Sequence, residues 1–263
     1  MADPRWWRLS LRVVSLGYLL LLLLLPVGLV FFRTFEHGIG PVWDSITTPA
    51  AVSAFWLTIL VAAIAVPLNT VFGVIAALAL ARSEVRGRAV LDAIVDLPFA
   101  VSPVVAGLAL VLVFGDQGWI HLPFQVIFSV PGIVLATIFV SLPFVVREVT
   151  PVLIEIGDEQ EQAAATLGAS PWQAFWRVTL PAIRWGVAYG VVLSTARAIG
   201  EFGAVSVVSG KIAGETMTLT LLVEERFQNF DLAGAYAASA LLALIALATL
   251  LALSRIGPRG DER

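Results

Sequence analysis

Residues 148–184 read EVTPVLIEIGDEQEQAAATLGASPWQAFWRVTLPAIR, a polar interruption in an otherwise apolar chain. Five acidic side chains fall between Glu148 and Glu161, and Gln162-Ala163-Ala164-Ala165-Thr166-Leu167-Gly168 follows them. The stretch nears its end with Val178-Thr179-Leu180-Pro181. Long apolar runs lie on either side. A chain of this kind that spends so many residues on one ordered polar connection is expected to dock something there.

Two short helices are written into the connection. Asp158, with Glu161 three residues on, fits an N-cap and its capping box. Helix then continues through residues 162–167, and Gly168 suits the left-handed position just past a helix end. Ser170 is the next N-cap, Pro171 suits the first helical position, and Gln173 completes a second capping box. That helix carries Trp172, Phe175 and Trp176, and Pro181 is expected to end it and open the next apolar segment. Ala163, Ala164 and Ala165 leave so little bulk that another protein could approach closely. Small-residue helices also pack within their own bundle, and amphipathic ones lie on membranes. The acidic start argues against an anionic membrane surface. Docking and internal packing both remain open on these grounds.

Working outward, the chain is 59% hydrophobic and only 13% charged, against about 25% charged for a soluble domain. This is the composition of an integral membrane protein. The net charge of −3 argues for no nucleic-acid partner, and the absence of cysteine excludes disulfides and thiolate chemistry. His37 and His121, both in loops, have no metal-ligand companion at suitable spacing, so no metal site is expected. No GxxxxGK[ST] phosphate loop occurs.

Crossing a bilayer takes roughly 20 apolar residues. Six spans are read: about 13–32, within 51–81, 91–115, 129–146, 184–204 and 232–254. The first is longer than a typical signal-peptide core and lacks a small-residue cleavage site, so it is read as an uncleaved anchor. Basic residues set the orientation. With the N-terminus inside, the cytoplasmic side carries Arg5, Arg8, Arg12, Arg82, Arg86, Arg88, Arg147, Arg177, Arg184, Arg255, Arg259 and Arg263. The outside receives Arg33, Lys211 and Arg226, while Arg197 lies within the fifth span. Both termini and the 148–184 connection are therefore expected in the cytoplasm, within one transmembrane domain over 1–263.

The connection resembles the coupling motif of bacterial ABC-importer permeases: Glu-Ala-Ala, three residues, Gly, nine residues, Ile, one residue, Leu-Pro. The pattern falls here on Gln162-Ala163-Ala164, Gly168, Val178 and Leu180-Pro181. Val178 replaces Ile, and Gln162 replaces Glu with Glu161 beside it. The likeness extends over Asp96-Leu97-Pro98-Phe99-Ala100-Val101-Ser102-Pro103, Val145-Val146-Arg147-Glu148, Tyr189-Gly190-Val191-Val192-Leu193 and residues 196–210. These look like the sulfate/thiosulfate permeases, and more like their W-type subunit than the T-type partner or the molybdate permeases. The resemblance implies an all-α integral membrane protein with six transmembrane helices, both termini inside, in the type I ABC-importer permease (MetI-like) fold. It also implies a T-type permease partner, two copies of a cytoplasmic ATPase that would hold the ATP and Mg, and an extracytoplasmic sulfate-binding protein. The chain itself would be no enzyme and would bind no cofactor. Glu161, Gln162, Ala163, Ala164, Gly168, Ala169, Leu180 and Pro181 would couple it to the ATPase.

Charged groups inside a membrane are functional candidates. Arg197 lies about 18 Å into the fifth span at 1.5 Å per residue, with Glu201 four residues on and expected on the same helix face. Arg197 either helps a dianion across, or it neutralises Glu201 and braces the subunit interface. The second reading is preferred because a neighbouring carboxylate would repel sulfate. Ser206, Ser209 and Lys211 suit an oxyanion gate or equally an ordinary turn-rich loop. Asp92 and Asp96 are expected on a water-exposed face, and Asn69 is expected to satisfy backbone groups freed by Pro67. Pro98, Pro103 and Gly107 predict an irregular third span. Competing readings are a molybdate or tungstate permease, an ion-coupled secondary transporter, for which no internal repeat is seen, and a membrane enzyme, for which no catalytic constellation is seen.

Overall fold

The computed structural model describes residues 5–82 and 87–256, and all its regular elements are helical. The first apolar run comprises α1 (Arg5–Leu19), a π-helical turn (Leu20–Leu24) and α2 (Leu25–Phe35). Then come α3 (Ile39–Ile46), α4 (Pro49–Arg82), α5 (Arg88–Ala100), α6 (Pro103–Phe114) and α7 (Val130–Ile156). The polar connection holds α8 (Glu159–Thr166), α9 (Pro171–Ala174) and a second π-helical turn (Phe175–Thr179). The chain continues through α10 (Leu180–Ile199), α11 (Val205–Val208), α12 (Leu219–Gln228) and α13 (Leu232–Ile256). Arg86, Arg259 and Arg263, which contribute to the expected orientation, lie outside the described residues.

The centre of the bundle is α4, α7 and α10, packed mutually. Val145 of α7 sits at its tightest point. A Cβ at Gly73 of α4 would come 2.7 Å from Val145 Cβ, and one at Gly190 of α10 would come 2.8 Å from Val145 Cα. Only glycine allows these backbones to approach so closely. An apolar cluster of Val74, Ala77, Leu80, Val149, Leu153 and Ile183 extends from there toward the polar connection. A second cluster, with Ala54, Leu57, Ile133, Val205 and Leu219, fills the opposite end. Between them lies a polar contact: Asn69 Nδ2 donates to Ser141 Oγ at 2.8 Å and to Ile138 O at 3.2 Å. Asn69 thus links α4 to α7 instead of repairing its own helix beside Pro67. A buried amide in an apolar bundle gains most from a partner it can reach across the interface.

Four helical stretches among the described residues are long and apolar enough to cross a membrane: Ser10–Phe35, Pro49–Arg82, Val130–Ile156 and Leu232–Thr249. Helices α5 and α6 make a fifth if counted as one span, but they meet at 110°. The predicted irregularity is therefore a break. Pro103 disfavours helical backbone at Ser102, which is extended along with Val101 (ψ 136° and 131°). The fifth predicted span corresponds to α10, a helix that Arg184, Arg197 and its small residues leave less apolar than the others. It stops at Ile199, short of residue 204. Helix α7 ends at Ile156, well past residue 146, so the connection begins inside this helix and breaks free at Gly157 (φ +68°).

Both π-helical turns end two residues before a proline, Pro26 in one case and Pro181 in the other. A proline inside a helix lacks the N–H and collides with the carbonyl four residues back. Widening the preceding turn relieves the collision. Pro181 consequently does not end a helix as the sequence suggested. Residues 171–199 run on as one helical path, with backbone angles helical through both junctions.

Candidate functional site

The connection projects from the bundle as a hairpin. None of the residues of α8 is buried. Gly168 (φ +87°) closes it: Gly168 N–H donates to Ala165 O and Ala169 N–H to Ala164 O, both at 3.0 Å. This is the left-handed helix stop read from the sequence. Ser170 caps α9 with both halves of its capping box present. Asp158 occupies the N-cap position of α8, but its side chain makes no capping bond. It accepts instead from Gln162 Nε2 at 2.8 Å. The reciprocal partner it would need, Glu161, is engaged elsewhere.

Glu161 turns toward the bundle. Its Oε1 accepts from Thr179 Oγ1 at 2.8 Å and lies 3.2 Å from Arg82 Nη2. Gln162, Ala163, Gly168, Leu167, Trp172 and Trp176 face outward. Leu167 is 88% exposed and Trp172 69%. Trp172, Phe175 and Trp176 form a cluster with ring centroids 5.5–6.2 Å apart. Exposed aromatic and aliphatic side chains thus share the outer face of a hairpin whose second helix is capped at Ser170. Ala164 and Ala169 are half-buried behind it, and Leu180 and Pro181 begin α10 at its base.

At the far end of α10, Gly200 closes the helix and places Glu201 just beyond it. Glu201 is therefore not on the helix face expected for it, yet it still reaches Arg197, with Nη1 to Oε2 2.8 Å. Its Oε1 accepts from Ala204 N–H at 2.9 Å, and its side chain is 1% exposed against 31% for Arg197. Arg197 also lines a cavity of about 460 Å³ beside the α5–α6 break, together with Phe99, Ser102, Pro103, Val140 and Phe144. The other predicted gate residues lie beyond. Ser206 Oγ donates to Gly203 O, and Ser209 Oγ donates to Thr216 O while accepting from Lys211 N–H. Lys211 Nζ is held 2.8 Å from Glu224 Oε2. These side chains brace their own loop.

Two contacts were out of reach of sequence reasoning. Arg147 of α7 binds Asp96 and, at 3.1 Å, Asp92 of α5, so the two carboxylates are half-exposed but not free. Arg82 gathers Leu153 O, Gly157 O and Glu161. Neither partner set is close in sequence, and only the fold brings them together.

Residues 69–259 match the family described as binding-protein-dependent transport system inner membrane component. The chain is 52% identical to the sulfate transport system permease protein CysW of Synechocystis sp., over 94% of this chain and 92% of that one. It is 48% identical to the CysW protein of Escherichia coli strain K12, over 96% and 87%. The fold resembles a bacterial alginate ABC transporter solved in complex with an alginate pentasaccharide-bound periplasmic protein. That likeness has a TM-score of 0.80 at 19% identity and covers 97% of this chain and 94% of that one. The chain therefore belongs to the binding-protein-dependent transport system inner membrane components, in the family of the CysW sulfate permeases.

Proposed function

We propose that this chain is a membrane subunit of an ATP-driven importer that carries sulfate into the cytoplasm by alternating access, with thiosulfate as the second candidate substrate. The observation that carries the proposal is identity near one half to sulfate permeases along almost the whole chain, and the exposed hairpin supports it. Six crossings are assigned to residues 10–35, α4, the broken α5–α6 pair, α7, α10 and α13, with both termini and the hairpin in the cytoplasm. A related T-type permease completes the pathway. Two cytoplasmic ATPases bind ATP and Mg and engage one hairpin each, and an extracytoplasmic binding protein delivers the anion, as the periplasmic protein bound to the alginate transporter supports. The chain catalyses no reaction itself. The two states are two packings of the permease pair, which hairpin movement interconverts.

Reconstitution tests this. The four proteins in proteoliposomes are expected to accumulate radiolabelled sulfate only with ATP, and vanadate is expected to stop uptake. Flux that persists without the ATPase would defeat the proposal in favour of a gradient-driven carrier. Uptake of molybdate in preference to sulfate would move the chain to the other tetrahedral dianions.

A further inference from the structure

We infer that Arg82 and Glu161 form the mechanical joint between the hairpin and the membrane bundle, as positioning residues that transmit movement and not as contacts to the ATPase. The inference rests on the importer reading above and assigns it a means of coupling.

Arg82 is the last residue of α4, at the end of the central helix triad. Its Nη1 donates to Leu153 O at 3.1 Å and its Nη2 to Gly157 O at 2.5 Å. Both carbonyls belong to the C-terminal end of α7, where a helix leaves acceptors without internal partners and favours positive charge. The same Nη2 reaches Glu161 in the first turn of α8. The carboxylate oxygen it meets also accepts from Thr179, which is buried immediately before α10. One guanidinium and one carboxylate therefore join the ends of α4 and α7 to the starts of α8 and α10.

Three observations make this a joint and not an incidental surface pair. Arg82 and Glu161 side chains are only 21% and 26% exposed, so solvent screens them less than an open pair. The space around them, bounded by Ile156, Gln160, Val178 and Ile183, leaves a cavity of about 10 Å³, room for no more than about one water. Helix α8 buries no residue and so lacks an apolar anchor of its own; Glu161 is its tie to the bundle. Force on the outward face of the hairpin passes through this tie to α4 and α7 together. The planar fork of arginine suits the task, since an ammonium cannot hold the same acceptors in fixed directions.

The test uses the complete complex in proteoliposomes and measures sulfate transported per ATP hydrolysed, alongside ATPase co-purification. Arg82→Gln and Glu161→Gln are expected to retain the ATPase and hydrolyse ATP, while the transport ratio falls about tenfold, within the range of coupling between two sites. The double variant is expected to lose less than the two single losses combined, because both remove the Arg82–Glu161 contact, and Arg82→Lys is expected to recover part of the loss. Should a charge variant fail to assemble, Thr179→Val removes one hydrogen bond at unchanged charge and is expected to lower the same ratio less. Wild-type ratios in these variants would overturn the joint. So would loss of ATPase binding in Glu161→Gln but not in Arg82→Gln, which would put Glu161 at the docking face. A wild-type complex without ATP-driven uptake would overturn the importer reading and the joint together; normal wild-type uptake beside unaffected variants would overturn the joint alone.

Discussion

Arg197 and Glu201 show how a four-residue spacing can name the right pair for an incomplete reason. Alternation on a helix brings them together in principle, but the helix stops at Gly200 and Glu201 meets Arg197 from the turn beyond. There the carboxylate takes a second donor, the Ala204 N–H, and Arg197 stands in the last helical turn, where the helix dipole favours it. Removing the arginine leaves a carboxylate that is 1% exposed without its counter-charge. Arg197→Ala is therefore expected to destabilise the subunit by about 3–5 kcal/mol, the cost of orphaning one member of a buried pair. The measurement is the yield and melting temperature of the assembled complex in detergent. Adding Glu201→Gln to Arg197→Ala is expected to restore much of the loss. Normal assembly of Arg197→Ala with abolished sulfate uptake would instead place the arginine in the anion path, beside the cavity it lines.

At the scale of elements, the caps were legible and the long-range ties were not. Ser170, Gln173 and Gly168 act through neighbours three to five residues away, so their chemistry is visible in the order of the chain. Glu161 looked like a capping residue for the same local reason, and Arg82 drew it off from 79 positions away. Pro181 looked like a stop because a proline removes a helical bond; the π-helical turn before it absorbs the defect and keeps the path continuous. The small residues Gly186, Gly190 and Ser194 mark the face of α10 that meets α7. Gly190→Val tests that interface. Its side chain would enter space held by Val145, and overpacking of this kind costs about 1–3 kcal/mol. A lower melting temperature of the purified subunit is expected, and an unchanged one would show that α7 and α10 separate freely.

For the whole molecule, composition alone identified a membrane protein, yet the count of crossings depended on two helices that composition describes poorly. One is bent by 110° at Ser102 and the other carries two arginines. The proposed orientation turns on α10. Its 20 residues span about 30 Å, the thickness of a bilayer core, so the proposed topology puts the hairpin at its start and the 209–216 loop beyond its end on opposite sides. The absence of cysteine makes this directly measurable. Leu167→Cys and Ile212→Cys each introduce one thiol at an exposed position, 88% and 49% accessible in the parent residues. In cells lacking the ATPase, so that the hairpin is uncovered, a membrane-impermeant maleimide is expected to label Ile212→Cys from outside and to spare Leu167→Cys. Inverted vesicles should exchange the two results. Labelling of Leu167→Cys from outside would reverse the orientation drawn from the arginines, and a hairpin on that side could not be driven by a cytoplasmic ATPase.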